Sequence, residues 1–194
     1  MDSGHHANSN PGAARSAFRS VFSIIVFFAI VLGLAWGLRT FVFQPYNVPS
    51  GSMENTIMTG DYVFSEKISY YFHGVEAGDI VTFEDPEVAS RTLIKRVVAT
   101  EGQTVDLRDG HVYVDGVMAD ESHVKGSSYP LSVQAKNVDI TYPYTVPSGC
   151  VWVMGDNREN SQDSRYFGAI PTSSITGRAM LIYWPLDHLG LTSK

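Results

Sequence analysis

Residues 92–99, Thr92-Leu93-Ile94-Lys95-Arg96-Val97-Val98-Ala99, set two cations in the middle of a β-patterned apolar run. Strand alternation puts Lys95 on the face of Leu93, Val97 and Ala99, so its ammonium is expected to point toward an apolar interior. An ordinary lysine is only about 0.04% neutral at pH 7. Burial lowers a lysine pKa by up to roughly 3–5 units, enough to make the amine a base for a hydroxyl. For this strand alone, a snorkelling lysine or a structural ion pair is the competing reading. A hydroxyl partner stands upstream in Pro49-Ser50-Gly51-Ser52-Met53. Pro49 presets φ and Gly51 permits a close or left-handed backbone, so Ser52 is displayed on a sharp bend with its amide exposed. Ser50 could add a second hydroxyl beside that amide. By itself such a segment is also a common structural turn.

Outward from this pair, strand-like runs recur between Gly-Asp or Asp-Gly turns: Tyr62 to Ser65, Ile80 to Phe83, Leu93 to Thr100, Val151 to Met154 and Gly177 to Trp184. Residues 104–117 read as consecutive hairpin turns. Residues 119–148 are polar, carry Pro130, Pro143 and Pro147, and read as a loop-rich excursion. No repeat or long amphipathic helix interrupts the pattern. The expected fold is mainly β, an antiparallel domain of residues 40–104 and 146–194 with a small β-rich cap inserted at 105–145.

Nineteen residues without a formal charge, Ser20 to Leu38, lie between Arg19 and Arg39. As a helix this run reaches about 28 Å, close to the hydrocarbon thickness of a bilayer. It reads as a single transmembrane anchor over residues 15–39. Ala35-Trp36-Gly37 also has the small-residue spacing of a cleavage site, but the run is longer than a usual signal core. Arg15 and Arg19 against Arg39 favour an inside amino terminus and an outside domain. Residues 1–14, polar and aperiodic, read as a disordered cytoplasmic tail in which His5-His6 is incidental. Residues 1–39 carry three arginines and one aspartate, so the formal net charge of −6 leaves −8 for residues 40–194. That acidic balance argues against a nucleic-acid partner. With Cys150 the one cysteine, no intramolecular disulfide forms, and the residue reads as a small filler in a turn. His73, His111, His123 and His188 lack metal-ligand spacing, so neither a metal nor another cofactor is expected.

In order, the chain presents Pro-Ser-Gly-Ser-Met, Gly78-Asp79-Ile80-Val81, Ile94-Lys95-Arg96-Val97-Val98 and Gly155-Asp156-Asn157-Arg158-Glu159-Asn160-Ser161-Gln162-Asp163-Ser164-Arg165, all beyond one amino-terminal anchor. With these boxes the sequence resembles the bacterial type I signal peptidases, membrane-bound Ser/Lys proteases of peptidase family S26, over the anchor and nearly all of residues 44–184. The resemblance implies Ser52 as nucleophile and Lys95 as general base. It implies Ser50 as an oxyanion donor and Ser161 as the serine that orients the lysine. Asp156, Asp163 and Arg165 match residues that stabilise the loop by ion pairs and backbone hydrogen bonds. Substrates would be secretory preproteins with small residues at −3 and −1, cleaved at the extracytoplasmic face of the cell membrane. The lysine matches the bacterial type over the endoplasmic-reticulum type, and a single anchor resembles enzymes of bacteria with one membrane. Two departures stand out: the Met-x-Pro-Thr pattern is here Met53-Glu54-Asn55-Thr56, and a position often aromatic is Leu93. A soluble self-cleaving repressor-type Ser/Lys protease would share the dyad but not the anchor. A non-catalytic anchored β binding domain would leave the Gly-Asp-Asn loop unexplained. Neither partners beyond substrate and bilayer nor an oligomeric state are legible.

Overall fold

The computed structural model describes residues 11–41 and 43–192. They divide into two units, the amino-terminal helix and the β domain.

Helix α1 runs from Pro11 to Phe41. Residues 11–14, expected as irregular tail, are therefore helical. Pro11 is tolerated there because the first helical position has no amide bond to lose, and Ala13 and Ala14 favour the helix. The rest of the expected tail lies outside the described residues. Within α1 the stretch Arg19–Gly37 is long and apolar enough to cross a bilayer.

The second unit contains strands β1 (Phe43–Asn47), β2 (Tyr62–Glu66), β3 (Ile80–Glu84), β4 (Thr92–Thr100), β5 (Thr104–Arg108), β6 (His111–Val114), β7 (Val117–Met118), β8 (Tyr144–Thr145), β9 (Cys150–Met154), β10 (Ile170–Pro171), β11 (Ile175–Trp184) and β12 (Gly190–Leu191). A one-turn helix α2, Ser164–Phe167, precedes β10. The large sheet has the order β1-β2-β11-β3-β4-β9-β10 with β12 on β11, and every pairing is antiparallel. The small sheet has the order β7-β6-β5-β8.

Strand β3 is buried on both faces because both faces of the large sheet are covered. Val81 and Phe83 join Val97, Val151, Val153 and Phe167, while Ile80 joins Val48, Met53, Ile57 and Val63. Each such side chain contributes about 1.5–3 kcal/mol on burial. A third cluster joins the small sheet to the large one. Val105 and Val112 of the small sheet pack with Ala99, Trp152 and Met154 of the large one. Residues 105–145 form their own sheet but share a core with the domain that carries them.

The expected face of β4 also changes along its length. Lys95, Leu93 and Val97 keep their alternation, but the register with β9 shifts between Val97 and Ala99. One extra residue in a strand reverses which face the following side chains meet. Ala99 therefore lies with Trp152 on the opposite side from Lys95.

Candidate active site

The Pro-Ser-Gly-Ser turn becomes a 3₁₀ turn, Gly51–Met53, entered from extended backbone at Ser50. Met53, wholly buried beside Ile57 and Val48, anchors it. Ser52 is thereby held 5% exposed against β4, where Lys95 is 3% exposed. Lys95 Nζ donates to Ser52 Oγ at 2.8 Å and to the Ile94 carbonyl at 2.9 Å. Burial pushes the Lys95 amine down to about 8, against the opposing pull of Asp163, Asp156 and Asp85. An amine in that range is neutral in a useful fraction of molecules near neutral pH and in that form has the capacity to accept a proton.

The Gly-Asp-Asn loop clamps this turn from the other side. Asn157 donates its backbone amide to the Ser52 carbonyl and its side-chain amide to the Gly51 carbonyl, each at 3.0 Å. A side chain at Gly155 would strike Ser161 and come within 2.5 Å of the Ser52 carbonyl, so the close approach of loop and turn requires glycine. Asp156 accepts from Arg96 Nε at 2.9 Å, Arg96 Nη2 at 2.8 Å and Thr56 Oγ1 at 2.5 Å. It ties the strand next to Lys95 to the segment just after Ser52. Asp163 accepts from the amides of Gly155 and Arg165, and from Arg165 Nε and Nη2. Burial alone would raise the Asp163 carboxyl, yet the Arg165 guanidinium and the Gly155 amide hold it below the usual range. Arg165 also donates to the Arg158 carbonyl at 2.7 Å.

Ser161 sits against Gly155; its buried Oγ makes no well-formed hydrogen bond to Lys95 or to another described residue, though it lies close enough to Asp163 to help hold that carboxyl down. Ser50 is exposed, its side chain makes no capping bond, and it lines a cleft of about 250 Å³. Lys95, Ile94, Leu93, Tyr46 and Val48 line the same cleft. Its two long walls are strands with open edges. β1 pairs only with β2, and β4 meets β9 only from Arg96 onward, leaving Thr92–Lys95 paired on the β3 side alone. Leu93 is half-buried and packs toward the Val81 cluster as well as facing the cleft. Asn55 has φ 88°, a left-handed conformation that proline's ring forbids and asparagine tolerates. The missing proline is thus a consequence of this turn's backbone.

Cys150 is half-buried on β9 near the third core cluster. His111, His123 and His188 each face a carboxylate, Glu121, Asp156 and Asp61 respectively. His73 meets a neighbouring carbonyl. Gly155, Asn157, Thr56 and Arg96 carry no assigned role in the sequence reading. The one available signal was their place inside or beside boxes already noted.

Residues 21–184 match the family model described as signal peptidase, peptidase S26. A probable signal peptidase I-1 of Synechocystis sp. is 39% identical over 168 residues, covering 83% of this chain and 81% of that protein. A signal peptidase I of Mycobacterium tuberculosis is 32% identical over 228 residues, covering 92% and 76%. The thylakoidal processing peptidase 1 of Arabidopsis thaliana chloroplasts is 35% identical over 182 residues, covering 89% of this chain and 48% of that protein. A serine turn held against a buried lysine, on a β domain that follows an apolar anchor helix, thus belongs to a member of the signal peptidase I, peptidase S26 family, the membrane-anchored serine endopeptidases that remove signal peptides from preproteins.

Proposed function

We propose that Ser52 is the nucleophile and Lys95 the general base of this signal peptidase. The single observation that carries the assignment is the 2.8 Å contact between Ser52 Oγ and a buried amine whose pKa is depressed. Neutral Lys95 takes the Ser52 proton as Oγ attacks the scissile carbonyl. The developing oxyanion is stabilised by the Ser52 amide and the Ser50 hydroxyl. Lys95 then protonates the leaving amine as the C–N bond breaks, leaving an acyl-enzyme. In the second half Lys95 takes a proton from water, the hydroxide adds to the ester carbonyl, and Ser52 recovers its proton as the C–O bond breaks. Ser161 orients the lysine once substrate closes the site, its Oγ being a buried hydroxyl of the clamping loop with no well-formed hydrogen bond of its own. Asp156, Asp163 and Arg165 hold that loop and move no proton.

The substrate lies extended in the cleft between β1 and residues 92–95, adding backbone hydrogen bonds to both open edges. Its limited volume suits small side chains at −3 and −1. The anchor places the amino terminus in the cytoplasm and the β domain on the far face of the cell membrane, as the arginine bias suggests. The thylakoidal relative makes a thylakoid membrane the other address for the same topology.

Purified full-length protein in detergent-lipid micelles should cleave a secretory precursor after a small residue. Ser52→Ala and Lys95→Ala should each lose about a thousandfold or more while still unfolding cooperatively as folded domains. Cleavage by Lys95→Ala at more than a tenth of the wild-type rate would overturn the assignment. For topology, external protease on spheroplasts should digest beyond residue 45 or so and spare the first residues. Protection of the β domain would refute the orientation.

A further inference from the structure

The cleft has a feature that the proposed chemistry does not use. Among the described residues lining it, Arg91 is the one charged residue besides Lys95. Its side chain is 46% exposed, yet it is not a free surface arginine. Nε is bound to Asp85, whose side chain is 1% exposed and also accepts the amides of Glu87 at 2.8 Å and Val88 at 3.2 Å. The Asp85 amide in turn donates to the Arg91 carbonyl at 2.9 Å, closing the β3–β4 hairpin. No protein group among the described residues accepts from the two Nη groups.

We propose that Arg91 is a specificity-determining residue, pinned through Nε by Asp85 so that its Nη groups meet an acceptor side chain of the bound substrate at the outer end of the cleft. This rests on the substrate placement given above. From Lys95 to Arg91 the chain advances about 13 Å at strand rise. An extended substrate alongside has the same rise, so the residue beside Arg91 lies about four positions from the one beside Lys95. With position −1 at the dyad, that residue falls at about −4 to −6. A planar guanidinium already committed at Nε favours carboxylate or carbonyl acceptors there and repels lysine or arginine. Because Asp85 offsets the charge at a distance, discrimination is short-range and limited to residues that touch the fork.

The test uses precursors carrying Asp, Ala or Lys singly at −4, −5 and −6, cleaved by wild type, Arg91→Gln and Arg91→Glu. The readout is the Asp:Lys ratio of kcat/KM within each enzyme, which does not depend on the folded fraction. Wild type should prefer Asp by roughly two- to fivefold at one of these positions at low salt, less at high salt. Arg91→Gln should bring the ratio to about one and Arg91→Glu should invert it. A wild-type ratio of one at all three positions, or a ratio unmoved by either substitution, overturns the inference even where cleavage is normal. A wild type no more active than Ser52→Ala would instead defeat the underlying placement and catalytic reading.

Discussion

Lys95 and Arg165 are both buried cations, 3% and 2% exposed, and the protein treats them in opposite ways. Arg165 is surrounded by the Asp163 carboxylate and the Arg158 carbonyl, so its charge is matched by acceptors. Lys95 meets only a hydroxyl and one carbonyl, with the carboxylates of Asp163, Asp156 and Asp85 acting from farther away. Burial is common to both; pairing is what differs. A guanidinium cannot discharge and must be paired, whereas an amine left short of acceptors gives up its proton. The Gly-Asp-Asn loop spends its ion pairs on holding position, and the proposed dyad would gain its reactivity from going without one.

The largest effect should come from making the paired region resemble the unpaired one. Asp163→Ala strips Arg165 of its carboxylate and the Gly155 amide of its acceptor. A buried charge left unmatched costs about 3–5 kcal/mol, so chemical denaturation should show the domain near or below its stability limit. A loss below about 1 kcal/mol would mean the pair is screened by water.

The converse substitution, Lys95→Met, removes the buried amine while keeping an unbranched apolar chain. Because the amine titrates near 8 in the folded protein against 10.5 for an exposed lysine, holding it at pH 7 costs on the order of 3 kcal/mol. The inactive variant should therefore be more stable than wild type at pH 7. The sign follows from protons bound. Between about pH 8 and 10.5 the unfolded state binds more, so wild-type stability gains from this group as pH rises through that window and the advantage of Lys95→Met shrinks. Equal stability of the two proteins at both pH values would contradict the depressed amine.

Activity should report the same titration. kcat/KM should climb along an acid limb with an apparent pKa of about 8, falling roughly tenfold per pH unit below it as the base becomes protonated. A limb set near an exposed lysine's value would place the proton acceptor elsewhere. The smallest effect concerns the turn between the two regions. Asn55→Pro demands a φ this backbone does not have and should cost more than about 1 kcal/mol, whereas Asn55→Gly should be nearly neutral. Tolerance of proline, read by thermal unfolding and precursor cleavage, would show that the turn relaxes freely.

Much of this molecule follows from short-range sequence. Nineteen uncharged residues make a membrane helix because length and hydropathy are properties of the segment itself. The strands around Lys95 follow from local alternation, and the ordered boxes place Ser52, Lys95 and the Gly-Asp-Asn loop in one family. What remained hidden depends on contacts between distant residues. Ala99 leaves the face of Lys95 because of a bulge set by pairing with β9, and the insertion shares a core because Trp152 stands between two sheets. Thr56 reaches Asp156 across 100 residues of chain, and Gly155 matters only because Ser52 and Ser161 crowd it. Arg91 acquires a candidate role only when the fold sets Asp85 and the cleft wall around it. Periodicity and composition are carried by neighbours along the chain. Register, close approach and charge pairing are decided only when the sheet brings separate segments together.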